Sequence, residues 1–456
     1  MKKLLLLSVI SCTQLTTALA GGLTTNTNYH IAFDRMMARG ATFEIDGAFS
    51  NPAGLVWGHE GLQLSFNWQS PRQDRNVEAT YPLFEGGSKK FDGKATAPFV
   101  PGLFVAYRKD KLALSFMLGI VGSGGFVKYD DGLPMFEAPL TTMLNAQLLQ
   151  AQPMLVAAGY NMANASTLYD FDSQMKGKQY VYGGQVSVAY KIGEYFSAAF
   201  AFRANYYDGY YRGHVNATLK QPSSELVNMK LDCDQTGWGF TPQISLDFHK
   251  DKFTLTARYE FRTKIETENK TNELSIGPDA VRVALAQSPS MQSMLGVYAD
   301  GAKTRNDLPA LFSTAVGYEF LPNLRAMLEY HLFDDKHAEM PGGRQEYLTR
   351  GTQEVLAGIE WDINKMFTVS AGGQRTDYGL SDDFQTNTSF ACDSYSVGFG
   401  GAVNVNEHLR FNLSYFWTMY DDYSKTVDNY QGTGLSYSET YSRTNRVFGL
   451  GIDYKF

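Results

Sequence analysis

Leu62-Gln63-Leu64-Ser65-Phe66-Asn67-Trp68 alternates apolar and polar residues at every step. A strand turns successive side chains to opposite faces, so this stretch carries one apolar face and one polar face. The same period recurs at 103–107, 112–118, 182–190, 196–202, 240–248, 253–261, 312–320, 324–332, 355–361, 367–373, 395–403, 409–417 and 448–456. Fourteen such segments result, ending in the aromatic Phe456. An even count suits a bacterial barrel that closes on itself, with apolar residues facing lipid and polar residues facing the lumen.

The connections between these segments alternate in length. Short ones fall at 109–110, 192–194, 249–251, 321–323, 362–365 and 404–407, with longer polar stretches rich in Gly, Asp and Tyr between them. Such alternation predicts tight turns on the periplasmic side and long loops outside the cell. Two long connections, about 128–178 and 262–311, are expected to be partly helical. The first carries Met143, Leu144 and Leu148 before Pro153, and the second carries Met291, Met294 and Leu295. Methionine-rich amphipathic helices suit adaptable contact with an apolar ligand, and they suit equally well a cap in which the loops pack on one another.

Upstream of Leu62 the alternation stops. Residues 21–58 fit short helical turns and close on Asn51-Pro52-Ala53-Gly54, a turn-forming stretch. Arg35 and Arg39 lie one helical turn apart, facing either a lumen or solvent. A segment this small cannot hold a core alone, so it is expected to pack inside the barrel of residues 59–456 as a plug. Residues 1–20 read as an export signal: Lys2 and Lys3, an apolar run from Leu4, then Ala18-Leu19-Ala20 before Gly21. A lipoprotein reading through Cys12 lacks the usual small residues before the cysteine.

Composition agrees with an exported barrel. Of 456 residues, 44% are hydrophobic, 14% aromatic and only 19% charged, with 43 Gly, 28 Tyr and 30 Phe, which fits neither a disordered chain nor a helical enzyme. Removing Lys2 and Lys3 from the 40 basic residues, against 47 acidic ones, leaves a net charge of about −9. That balance argues against a nucleic-acid partner, which needs a basic surface. The seven His are scattered, and no CxxC, HExxH, GxSxG or Walker-type loop occurs, so no metal, cofactor or catalytic centre is expected. Cys233 and Cys392 can either pair or stand apart. No apolar run after the signal is long enough for a membrane helix, which leaves a closed barrel as the way to span a bilayer.

Taken together, the plug ending in Asn51-Pro52-Ala53, the fourteen strands, a glycine-rich third strand and the C-terminal Phe456 resemble the FadL/TodX outer-membrane transporters of long-chain fatty acids and other hydrophobic compounds. Ala97-Pro98-Phe99-Val100-Pro101, Gly237-Trp238-Gly239-Phe240, Tyr259-Glu260-Phe261-Arg262 and Leu308-Pro309 fall in the matching order. The resemblance implies a monomeric, non-enzymatic barrel whose plug, or hatch, blocks the lumen, and whose ligand leaves sideways into the membrane lipid near the third strand. Gly119, Gly122, Gly124 and Gly125 mark that opening; glycine weakens strand pairing and permits bulges, though the same residues also fit a strand fraying into its loop. The polar stretch Gly21 to Asn28 departs from the apolar hatch tip of the family.

Moving such a ligand breaks no bond. It requires an apolar path, a movable plug and one or two cations for a carboxylate. Parity places Arg203, Arg258 and Arg325 on the lumen side, and loose matching to the family adds Arg212 and Lys336. Tyr206, Tyr207, Tyr210 and Tyr211 line a pocket or form an aromatic girdle. An open porin, a surface adhesin or structural barrel, and a barrel enzyme remain as alternatives.

Overall fold

The computed structural model describes residues 21–157, 159, 165–221, 223–286 and 296–456; the export segment with Cys12, and Met291, Met294 and Leu295, lie outside the described residues. The strands are β1 (Gly61–Thr80), β2 (Ser88–Thr96), β3 (Val100–Lys109), β4 (Leu112–Tyr129), β5 (Tyr169–Ile192), β6 (Phe196–Leu219), β7 (Ser224–Lys250), β8 (Phe253–Glu260) and β9 (Glu266–Gly277). They continue as β10 (Lys303–Arg305), β11 (Leu311–Leu321), β12 (Leu324–Phe333), β13 (Gln353–Asp362), β14 (Phe367–Asp377), β15 (Ser394–Asn404), β16 (Leu409–Tyr420), β17 (Tyr423–Val427) and β18 (Tyr437–Lys455).

Four staves of the barrel are interrupted: β2 with β3, β8 with β9, β10 with β11, and β16 with β17 each form one. The 18 segments therefore make fourteen antiparallel staves. The barrel closes where β1 pairs with β18, from Gln63 opposite Lys455 to Thr80 opposite Ser438.

The alternation sorts side chains as the sequence predicts. Gln63, Ser65 and Asn67 are buried in the lumen, whereas Phe66 is 45% exposed on the outside. Outward residues of β6 and β7 are apolar over 196–206 and 238–248, then turn polar at Asp208 and Arg212 and at Asp234 and Asp232. An apolar stretch of this length matches the roughly 9–11 residues that a tilted strand needs to cross a bilayer. Beyond it, β5, β6 and β7 rise well above the lipid-facing belt, with 24, 24 and 27 residues each.

Inside the lumen sit α1 (Ile31–Met36), α2 (Gly47–Ser50) and a 3-10 turn at Pro52–Trp57. Outside, the loops carry α3 (Pro134–Gln150), α4 (Gln152–Ala157) and α5 (Asp279–Ala286). Leu144 of α3 is buried with Tyr169, Val215, Val227 and Val281, and Met143 and Leu148 pack against that cluster. Helices α3 and α5 thus lie over the raised ends of β5 to β7. Cys233 and Cys392 are both free, buried in separate clusters.

Candidate functional site

The plug is held by buried charge at the end of the barrel where the turns are short. Arg35 pairs with Glu360, neither exposed, and donates to Ser370 Oγ at 2.7 Å. Arg39 donates to Asp46 at 2.6 Å and to Glu44 at 2.7 Å, and its backbone N–H, like that of Gly40, reaches Glu329 Oε2 at 2.8 Å. Arg410 holds Glu44 at 2.7 Å from the wall. Arg325 joins the same network through Glu360 and Asp362. Buried ions persist only when paired and hydrogen-bonded, so this network fixes α1 to the barrel.

Asn51 explains why the plug ends where it does. Its Oδ1 accepts from Gly54 N–H at 3.1 Å, capping the 3-10 turn that Pro52 opens, while its Nδ2 donates to Asp247 at 2.8 Å. Ala53 N–H donates to Ser245 Oγ at 3.2 Å, and Ser197 Oγ donates back to Ala53 O at 2.6 Å. A Cβ at Gly54 would lie 2.1 Å from Asn51 Nδ2, so only glycine fits.

The third stave, β4, carries the glycine cluster and leaves a gap in the wall. β3 pairs with β4 from Lys109 opposite Leu112 up to Leu103 opposite Leu118, and β2 resumes at Thr96 opposite Phe126. Between these ladders, residues 97–102 face residues 119–125 without pairing. On its other side β4 stays joined to β5, but its register shifts between Ile120 and Gly122 and again between Ser123 and Gly125. Two bulges in six residues bend the strand away from its neighbour. On the opposite edge Pro98, which has no N–H to give a ladder, marks the break between β2 and β3.

The polar start of the plug fills this gap from inside. Asn26 N–H donates to Val121 O at 3.1 Å, Asn26 Nδ2 to Ile120 O at 3.0 Å, and the Tyr29 hydroxyl to Val121 O at 3.2 Å. Toward β1, Asn28 Nδ2 donates to Gln69 Oε1 at 3.0 Å, and Gln69 Nε2 donates to Asn28 O at 2.6 Å. Cβ atoms at Gly122 and Gly102 would come within 2.6 Å of Thr24 O and Tyr29 O respectively. From outside, Ala97 and Val100 pack on Ile120 and Tyr180, leaving Phe99 59% exposed. The polar Asn26 thus has a physical reason: its side-chain amide and backbone N–H satisfy wall carbonyls beside the missing ladder.

The candidate cations separate by place. Arg203 and Arg258 are buried in the lumen and share Glu260, at 2.6 Å and 3.1 Å. Arg325 lies on the lumen side near the periplasmic mouth, lining a cavity of about 920 Å³ with Arg39, Glu44 and Asp362. Arg212 projects from the outer face above the belt, paired with Asp232 and Asp234 at 3.0 and 3.1 Å. Lys336 is exposed in the loop after β12. Among the bases that the sequence alone did not single out are Arg344 and Arg443, at the long-loop end of the barrel. Arg344, 1% exposed, donates through Nη2 to Phe384 O and Ser389 O at 2.9 and 2.7 Å, while Nε and Nη1 have no hydrogen-bond partner among the described residues. Arg443 reaches Gln73 Oε1 at 3.4 Å and its Nε has no partner among the described residues. Neither has a carboxylate partner among the described residues. Leu23 of the plug packs against Met340, Leu348 and Phe384, close to Arg344.

No protein-family model matches the sequence, and no curated protein matches it either. Solved structures do resemble it. A FadL homologue of Pseudomonas aeruginosa superposes with a TM-score of 0.65 at 15% identity, over 96% of this chain and 100% of that one. The toluene transporter TodX of P. putida gives 0.52 at 13% identity, over 91% and 95%. The toluene transporter TbuX of Ralstonia pickettii gives 0.52 at 12% identity, over 91% and 94%. At these identities the likeness is one of fold: a plugged fourteen-stave barrel.

Proposed function

We propose that this chain, with the fold of the FadL-type barrels, lies in the outer membrane of a Gram-negative bacterium and passes long-chain fatty acids or similar hydrophobic molecules inward without chemistry. The observation that carries the reading is the unpaired stretch between residues 97–102 and 119–125, closed from the lumen by Thr24 to Tyr29. A hydrophobic molecule reaching that stretch passes into lipid without crossing water, which a route through the polar periplasmic mouth does not offer. The plug argues against an open porin.

In this reading the loop helices around Leu144 receive the ligand and the upper lumen holds it. Arg344 is the carboxylate partner of choice, because Arg203, Arg258 and Arg325 already have acids and Arg212 faces outward. A guanidinium with open N–H groups in a desolvated site favours a planar anion. The test is uptake of labelled oleate, with toluene as a neutral comparison, by cells lacking their own transporter and expressing this barrel. Oleate uptake is expected to fall about tenfold in Arg344→Gln, the loss of one charge-assisted contact, while toluene entry is unchanged. No oleate uptake by the inserted wild-type barrel would contradict the reading.

A further inference from the structure

A row of bases crosses four neighbouring staves on the outer face, directly above the wall gap. Lys94 of β2 stands opposite Lys128 of β4, Lys128 opposite Lys176 of β5, and Lys176 opposite Arg212 of β6. Like charges placed directly opposite across a sheet repel, so three consecutive pairs of this kind need a compensating anion. Arg212 has Asp232 and Asp234. Among the described residues one ion pair involves the three lysines, that of Lys128 with Asp130. That hydrogen bond, aided by the fields of Lys94 and Lys176, holds Asp130 below the usual carboxylate range. Asp74, opposite Lys94 on β1, is engaged by Thr444 Oγ1 at 3.1 Å. Neither Lys94 nor Lys176 has an ion-pair partner among the described residues.

Height selects the anion. Tyr180, Tyr182, Tyr206 and Trp238 close the apolar belt, and Lys176 precedes the two tyrosines of β5 by four to six residues, toward the long-loop end. At about 3.3 Å per residue and a tilt of about 40°, that is roughly 10–15 Å above the rings, in the headgroup layer and within reach of snorkelling lysines. We propose that Lys94, Lys128 and Lys176 form a binding site for the phosphorylated sugar head of an outer-leaflet glycolipid. The acyl chains of a lipid held there descend past Phe99, Ile120 and Tyr180, so that lipid covers the gap from outside as the plug covers it from within.

This site rests on the outer-membrane reading, and its test separates the two. The full barrel is inserted into vesicles containing bisphosphorylated lipid A or its dephosphorylated form, extracted, and weighed by native mass spectrometry for retained lipid. The triple variant Lys94→Gln, Lys128→Gln, Lys176→Gln is expected to retain lipid A about tenfold less, because each near-surface lysine adds to the hold on an anionic lipid. The dephosphorylated form should be retained poorly by the wild type. The outward pair Lys230→Gln, Lys270→Gln, on the staves just beyond Arg212, should behave as wild type. Equal retention by wild type and triple variant, or of both lipid forms, would overturn the glycolipid site while leaving the membrane reading intact. A wild-type barrel that inserts into neither vesicle would overturn both.

Discussion

At the residue scale, period two says more than which staves exist. On β6 the parity that turns Arg203 into the lumen turns Arg212, nine positions on, to the outer face, so its exclusion from the lumen was readable from the strand itself. Arg344 was not readable, because it lies in a loop where no periodicity assigns a direction. The same loop holds Asp335, whose Oδ2 accepts from Thr352 N–H at 2.8 Å. Burial lifts the Asp335 carboxyl from 3.8 to about 6, against the pull of the Thr352 hydrogen bonds. A raised carboxyl favours the fold when protonated, so its contribution is full below the unfolded value and lost as pH rises through about 6. Over the full window it amounts to about 3 kcal/mol. Amides of residues 334–352 should therefore exchange faster at pH 7.5 than at pH 5, after correction for intrinsic rates, and Asp335→Asn should flatten that difference. An unchanged profile in the variant would remove Asp335 as its cause.

At the scale of elements, the plug divides into a fixed part and a removable part. Around α1 the contacts are ionic and buried: Glu360 alone serves Arg35 and Arg325, with Arg39 at 3.8 Å and Arg410 at 3.9 Å. Removing one partner of a buried pair leaves the others uncompensated, at a cost of roughly 3–5 kcal/mol. Glu360→Gln should loosen the plug and raise ion conductance across planar bilayers; a conductance equal to wild type would show that the network does not seat it. The contacts of Asn26 and Asn28 with the wall are instead neutral hydrogen bonds, each contributing only about 1 kcal/mol, and apolar packing resumes at Tyr29, which lies edge-on to Phe49. The glycines of β4 pointed to a weak wall. That residues 97–99 break the facing stave at the same height could not be read from alternation, because it depends on register between strands distant in sequence.

For the molecule as a whole, the barrel was legible because fourteen staves each repeat one rule. The rise of β5 to β7 above the lipid, with α3 and α5 lying over them, was less so: outside the belt both faces of a strand are polar or packed, and the period fades. In the function proposed above, cargo leaves through the wall gap once the plug's first residues withdraw. The direct measurement is oleate uptake by a barrel carrying Asn26→Cys and Val121→Cys, positions joined by a 3.1 Å backbone hydrogen bond, in a chain whose native Cys233 and Cys392 are buried. Oxidised, the plug is tied to the edge of the gap and uptake should cease; reduction should restore it. Uptake that is the same in the oxidised, crosslinked barrel and after reduction would contradict exit through the gap.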